Sequence, residues 1–169
     1  MKSTLCNFCL KSGILCMKCQ AKLKSGKISE TDLKIARLLL SLEEKHPQLQ
    51  NVCFHKAVET DGVLAVIVGQ GDIAKLLSVG GRIIREIGDM TGKQIRLLEH
   101  EVDDRKFLED LFAPYTIMTI NTIWLPDGST ETRVILKRRG RRPPTLNTKA
   151  LKEIAKGVRG ITLRVEFAD

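Results

Sequence analysis

Aromatic side chains make up only 4% of this 169-residue chain, with one Trp, one Tyr and five Phe. Sheets that read nucleic acid by stacking bases carry more of them on their strands, so the scarcity argues against an RRM-like or OB-like surface. Long apolar runs are missing too: none approaches the roughly 18 residues of a membrane helix, and no membrane partner is expected. Lysines and cysteines interrupt the amino-terminal segment from residue 6 onward, so no secretory signal pattern stands there and a soluble, cytoplasmic protein is the expectation. The chain has three histidines, His46, His55 and His100, none in a nucleophile or metal motif. Gly69-Gln70-Gly71 lacks the following Gly-Lys-Ser/Thr of a phosphate-binding loop. Asp103-Asp104 and Glu109-Asp110 read as solvated acids at a helix start, where the dipole favours them. A binding protein with no small-molecule substrate is expected, and no enzymatic activity.

Acid is absent from two stretches, and this unevenness says more than the formal charge of +8. Residues 1–29 hold six lysines and no acid, and residues 133–152 hold eight Lys or Arg and no acid. Between them, residues 30–132 hold eleven basic residues against seventeen acidic ones, a net of −6. A polyanionic partner would be drawn to the two basic blocks.

Four of the five cysteines lie in the first basic block, as Cys6-Asn-Phe-Cys9 and Cys16-Met-Lys-Cys19. Two residues between cysteines let both thiolates of a turn face one ion, and two such turns complete a tetrahedral site. The reading is one structural zinc in a compact knuckle over residues 1–27, closed to substrate, with Lys11, Lys18 and Lys22 offsetting the thiolate charge. Two disulfides or an iron–sulfur cluster would use the same residues. Cys53 falls in an apolar strand and reads as a buried small hydrophobe.

Beyond the knuckle the pattern is α+β. Ser29 caps a helix that runs to about Lys45, with Asp32 at the capping-box position and Pro47 ending it. Strands 52–58 and 63–68 flank the Asp61-Gly62 turn. A short helix, 73–77, then reaches Ser78-Val79-Gly80-Gly81-Arg82-Ile83-Ile84. The glycine pair suits positive φ and close backbone approach. Ile83, Ile84 and Ile87 recur at helical spacing, Gly92 stops that helix, and strand 94–98 follows. The remainder repeats the scheme: helix 105–112, strand 116–124, the turn Pro126-Asp127-Gly128-Ser129, strand 130–137, helix 147–156 and strand 161–167. Arg138-Arg139-Gly140-Arg141-Arg142-Pro143-Pro144 occupies the place of the first unit's short helix and glycine turn.

The segment 77–95 resembles the core of a KH domain, the single-stranded RNA-binding module built around a Gly-x-x-Gly loop between two helices. Ser78 stands where the family's first glycine would be, and no Lys or Arg lies within the loop. The leading helix and element order imply a type II KH domain at 28–101, followed by a degenerate KH-like unit at 102–169. With the knuckle and the Trp124-Leu125-Pro126-Asp127-Gly128 hairpin, the chain resembles the short archaeal NusA-like proteins. That resemblance implies a transcription elongation or termination factor binding nascent single-stranded RNA beside RNA polymerase. Candidate RNA contacts are Ser78, Val79, Gly80, Gly81, Arg82 and Arg85 at the turn, with Ile84, Ile87 and Ile95 seating bases. Arg138, Arg139, Arg141 and Arg142 are the best phosphate contacts, since guanidinium forks match phosphate oxygens. The alternative is an adaptor that docks on RNA polymerase or the ribosome and whose KH groove is vestigial.

Overall fold

The computed structural model describes residues 1–138, 140 and 145–168. The chain divides into two units, Met1–Glu101 and Val102–Asp169. Among the described residues no helix is long and apolar enough to cross a membrane.

The first unit carries β1 (Lys2–Ser3), α1 (Asn7–Ser12), α2 (Met17–Lys24), α3 (Glu30–Leu42), β2 (Cys53–Thr60), β3 (Val63–Val68), α4 (Asp72–Leu77), α5 (Arg82–Thr91) and β4 (Gln94–Glu99). Its sheet has the order β1-β2-β3-β4, with β2 and β3 antiparallel and both outer pairs parallel. All six residues of β3 are buried, as a central strand of β-branched and aliphatic residues requires. Leu33, Ile35, Ala36, Leu39 and Leu42 put a helical stripe of α3 into the core with Phe54, Leu64, Val66 and Val68. The amino-terminal, cysteine-bearing segment shares this core: Met1, Leu5, Cys9, Leu10 and Cys19 belong to the same cluster.

Asp32 does more than the sequence pattern implies. The capping box is complete, with the Asp32 backbone N–H donating to Ser29 Oγ at 3.1 Å and the Ser29 N–H donating to Asp32 Oδ2 at 2.8 Å. Its other oxygen accepts the N–H of Ala57 on β2 at 2.7 Å, and the residue is only 3% exposed. One buried carboxylate thus satisfies a helix terminus and a strand N–H that would otherwise be orphaned. Asp32→Ala should cost about 3 kcal/mol from the lost cap and charged hydrogen bonds. The melting temperature should drop by roughly 6–12 °C; a drop under about 2 °C would mean the carboxylate does not tie α3 to β2.

The second unit carries α6 (Asp104–Phe112), β5 (Ile117–Trp124), β6 (Thr130–Lys137), α7 (Thr148–Arg159) and β7 (Leu163–Ala168). Its sheet order is β5-β6-β7, antiparallel then parallel. This is the order and direction of β2-β3-β4, with a helix before the first strand and another before the last in both units. Both helices bury the same spacing, Phe107, Leu108, Leu111 and Phe112 on α6 and Ala150, Leu151, Ile154 and Ala155 on α7. Asp103 caps α6 by accepting from the Lys106 N–H, and Asn147 caps α7 by accepting from the Ala150 N–H. Gly160, at φ +67°, ends α7, the later of the two glycine stops, Gly157 and Gly160, that the sequence offers. Conversely, α3 ends three residues earlier than expected, at Leu42, because Glu43–Lys45 no longer present an apolar face to the core.

Candidate functional site

The two C-x2-C pairs are placed by the starts of two helices. Cys6 and Cys16 are the residues that precede α1 and α2, and Cys9 and Cys19 lie in their first turns. A residue before the helix and one three positions later face the same spot beyond the helix end, so each pair converges without strain. The four Sγ atoms all lie within 4.8 Å of one another, with Cys6 and Cys9 at 2.9 Å and Cys6 and Cys16 at 4.0 Å. Four thiolates on a tetrahedral ion with bonds of about 2.3 Å would sit about 3.8 Å apart, so the set fits such a metal. The Cys16 N–H donates to Cys9 Sγ at 3.1 Å, and Lys22 Nζ donates to the Thr4 carbonyl at 2.6 Å. The Cys19 N–H, followed by the Cys9 thiol, lowers Cys16 to about 6. Contact with Cys6 pushes Cys9 up to about 12, while Cys6 itself is held below the usual thiol range by Cys9. Thiols this close cannot all ionise unless a cation joins them.

Cys53 is half-buried, because it opens β2 at its rim; its N–H donates to Asp72 Oδ2 at 2.8 Å. The histidines are engaged elsewhere. His46 meets Glu86 at 3.2 Å, and His55 stacks on His100 with centroids 4.1 Å apart.

At the glycine turn, three consecutive residues take positive φ: Val79 (57°), Gly80 (68°) and Gly81 (71°). Ser78 Oγ donates to the Lys75 carbonyl at 2.6 Å and so closes the end of α4. Gly81 precedes α5 with no side-chain cap, and the first turn of α5 holds no acid, leaving its N–H groups open to an anion. Arg82 is exposed. Arg85 is exposed too, but its guanidinium donates back to the Gly80 carbonyl and thereby holds the turn. Of the apolar groove residues, Ile84 and Ile95 are half-exposed, whereas Ile87 is 1% exposed and belongs to the core. The composition did not reveal that Leu77 and Val79 would be exposed on either side of Ser78, at 51% and 60%.

A β-branched residue at φ 57° is strained by roughly 1–3 kcal/mol. Val79→Gly removes that strain but loosens the unfolded chain by about 0.5–1 kcal/mol. A net gain near 1 kcal/mol, seen as a melting point about 2–4 °C higher, is expected. A lower melting point would show that Val79 is not held at positive φ.

In the second unit, Lys137 and Arg138 are exposed at the end of β6. Arg139, Arg141 and Arg142 lie outside the described residues. Arg133, in the same basic block, is paired with Glu166 across the sheet at 2.9 Å. The structure thus brings the four cysteines together and sets Ser78–Arg85 on one turn, while Arg138 belongs to the other unit.

No family model matches the chain. Two curated archaeal proteins do share partial similarity with it. The Methanocaldococcus jannaschii protein described as "Probable transcription termination protein NusA" is 28% identical over 78 residues, which is 46% of this chain and 41% of that protein. Its Methanococcus vannielii counterpart, described in the same words, is 29% identical over 65 residues, 38% of this chain and 36% of that protein. The chain therefore resembles archaeal NusA-like proteins over less than half of their length. Among solved structures, one described as "Crystal structure of APE1850" superimposes with a TM-score of 0.50 at 16% identity, covering 79% of this chain and 96% of that one. That likeness concerns the fold alone.

Proposed function

We propose that this protein is a NusA-like transcription factor that binds single-stranded nascent RNA near RNA polymerase. The observation that carries the reading is the repeated unit, helix–strand–strand–connection–helix–strand, with the same sheet order and strand directions twice. The connection holds a glycine turn in one copy and an arginine-rich segment in the other. We read the first copy, residues 28–101, as a type II KH domain, and the second, 102–169, as a degenerate one. Support comes from the partial similarity to archaeal NusA proteins and from the uncapped start of α5.

In this reading the N–H groups at Gly81 and Arg82 receive a phosphate, and Arg82 adds charge. Ile84 and Ile95 offer an aliphatic floor for bases. Arg85 acts through the turn by fixing the Gly80 carbonyl. Arg138, with Arg139, Arg141 and Arg142, supplies the main electrostatic grip, because Ser78–Gly81 carry no cation and Arg82 alone adds charge beside them. Cys6, Cys9, Cys16 and Cys19 hold one zinc ion, whose contribution is to fold the knuckle. The protein binds and does not catalyse. The exposed Leu77 and Val79 favour a second reading, in which the turn meets a protein surface on the polymerase or ribosome and no longer clamps RNA.

The test is single-round transcription by an archaeal RNA polymerase on templates with a defined pause and terminator. Adding the protein should change pause lifetime or terminator read-through at least about twofold. Unchanged pausing and termination at saturating protein would defeat the transcription reading.

A further inference from the structure

Away from the glycine turn, the first unit holds a groove of about 780 Å³ whose walls are the α1–α2 loop, α2, α3 and the last turn of α5. Leu15, Leu23, Leu33, Leu38 and Met90 make its lining largely aliphatic. It follows α3 from Glu30 to Ser41, about 16 Å at 1.5 Å per residue. A smaller hollow of about 440 Å³ shares Ser41 and Met90 with it and carries the groove on toward Lys45. Met90–Thr91 and Gly80–Gly81 lie at opposite ends of α5, about 13 Å apart along its axis, so the groove is separate from the turn.

Two cations line this groove, Lys34 within electrostatic reach of Glu59. Among the described residues neither Lys34 nor Arg37 has an ion-pair partner, and the Nε of half-buried Arg37 is shielded from solvent with no hydrogen-bond acceptor. A desolvated donor of this kind is a standing cost that an incoming acceptor removes. Glu30 is the acid on the α3 wall, Glu86 and Asp89 line the smaller hollow with Lys45, and residues 1–29 hold six lysines and no acid. Met90, 59% exposed at the rim, is a side chain that adapts to varied apolar partners.

We infer that this groove binds an acidic amphipathic helix of a partner protein. A helix of about 11 residues spans about 16 Å, the length of the groove along α3. Apolar residues at i, i+3, i+4 and i+7 enter between Leu33, Leu38 and Met90. A carboxylate on the partner's flank accepts from Arg37 Nε and faces Lys34. RNA is the less suitable polyanion, because the aliphatic walls offer few groups that read base edges and no aromatic face on which to stack. This inference is independent of the RNA reading and goes beyond it, since it needs neither the turn nor the arginine segment.

The experiment starts from a displayed library of helical peptides, randomised on one face, selected on the full chain. The most enriched peptides are resynthesised and titrated into isotope-labelled protein by NMR. Enriched peptides should combine Glu or Asp with Leu, Met or Phe at helical spacing, and should shift the amides of Gly13, Leu33–Ser41 and Met90. Lys34→Glu, at an exposed position, should weaken them about tenfold, and Arg37→Met should weaken them without unfolding α3. The inference is overturned if no peptide is enriched, if the enriched peptides are basic or map elsewhere, or if both variants bind like the wild type. It is also overturned if a single-stranded RNA oligonucleotide occupies these amides in preference to the peptides.

Discussion

Stripping the metal should melt the amino-terminal module, with a fall of at least about 10 °C in the melting temperature. Cys9 and Cys19 are 0% and 2% exposed and pack in the same core as Leu5, Leu10, Leu33 and Leu39. Without an ion, four thiols within 4.8 Å must stay protonated or repel one another. Helices of six and eight residues are too short to persist alone in water, so α1 and α2 depend on that centre. Structural zinc contributes on the order of 10 kcal/mol in small peptides. Even a third of that, at about 2–4 °C per kcal/mol, gives the stated drop. Cys9→Ser should reproduce it, while Cys53→Ser, outside the cluster, should cost far less. A melting curve unmoved by a strong chelator, with no metal in the purified protein, would remove the metal from the account. A visible charge-transfer band would replace zinc by iron and sulfur.

Reversing Arg138, Arg139, Arg141 and Arg142 to Glu should weaken single-stranded RNA binding at least about 100-fold near 0.1 M salt. The log–log salt slope should shrink by about 3, because each phosphate contact on a single strand contributes about 0.7. The fold should survive the change: Arg138 is exposed and beyond the last paired residue of β6 that contacts the core. The acidic stretch 30–132, net −6, cannot supply this attraction, and Arg133 is already spent on Glu166. Affinity and slope equal to the wild type would make the arginines a solvated surface feature and shift the RNA site to the turn.

Local chemistry made much of this architecture legible. The strands 63–68 and 130–137 stand at the positions expected from turn residues, because Asp61-Gly62 and Pro126-Asp127-Gly128 fix where each begins. The α5 stop at Gly92 follows from a residue that alone tolerates φ 67° there at no cost. Spacing also exposed the cysteine quartet, since C-x2-C across a helix start leaves one place for both sulfurs. Tertiary facts were hidden. Nothing in Ser29-x-x-Asp32 announces that Asp32 also reaches Ala57, twenty-five residues away. Arg85 looked free until the turn brought the Gly80 carbonyl to it. The groove beside Arg37 joins residues from 13 to 91, a spacing no local pattern encodes.

RNA binding itself is most directly tested by fluorescence anisotropy with a mixed-sequence single-stranded RNA across a salt series. Wild type is compared with a Gly80→Asp/Gly81→Asp variant whose fold is checked by circular dichroism. The account predicts wild-type binding that weakens steeply with salt. The variant should bind more weakly still, because its acids repel phosphate at the start of α5 and side chains are strained at φ 68° and 71°. Absence of binding by the wild type at low salt would contradict the account and leave a protein-docking adaptor in its place.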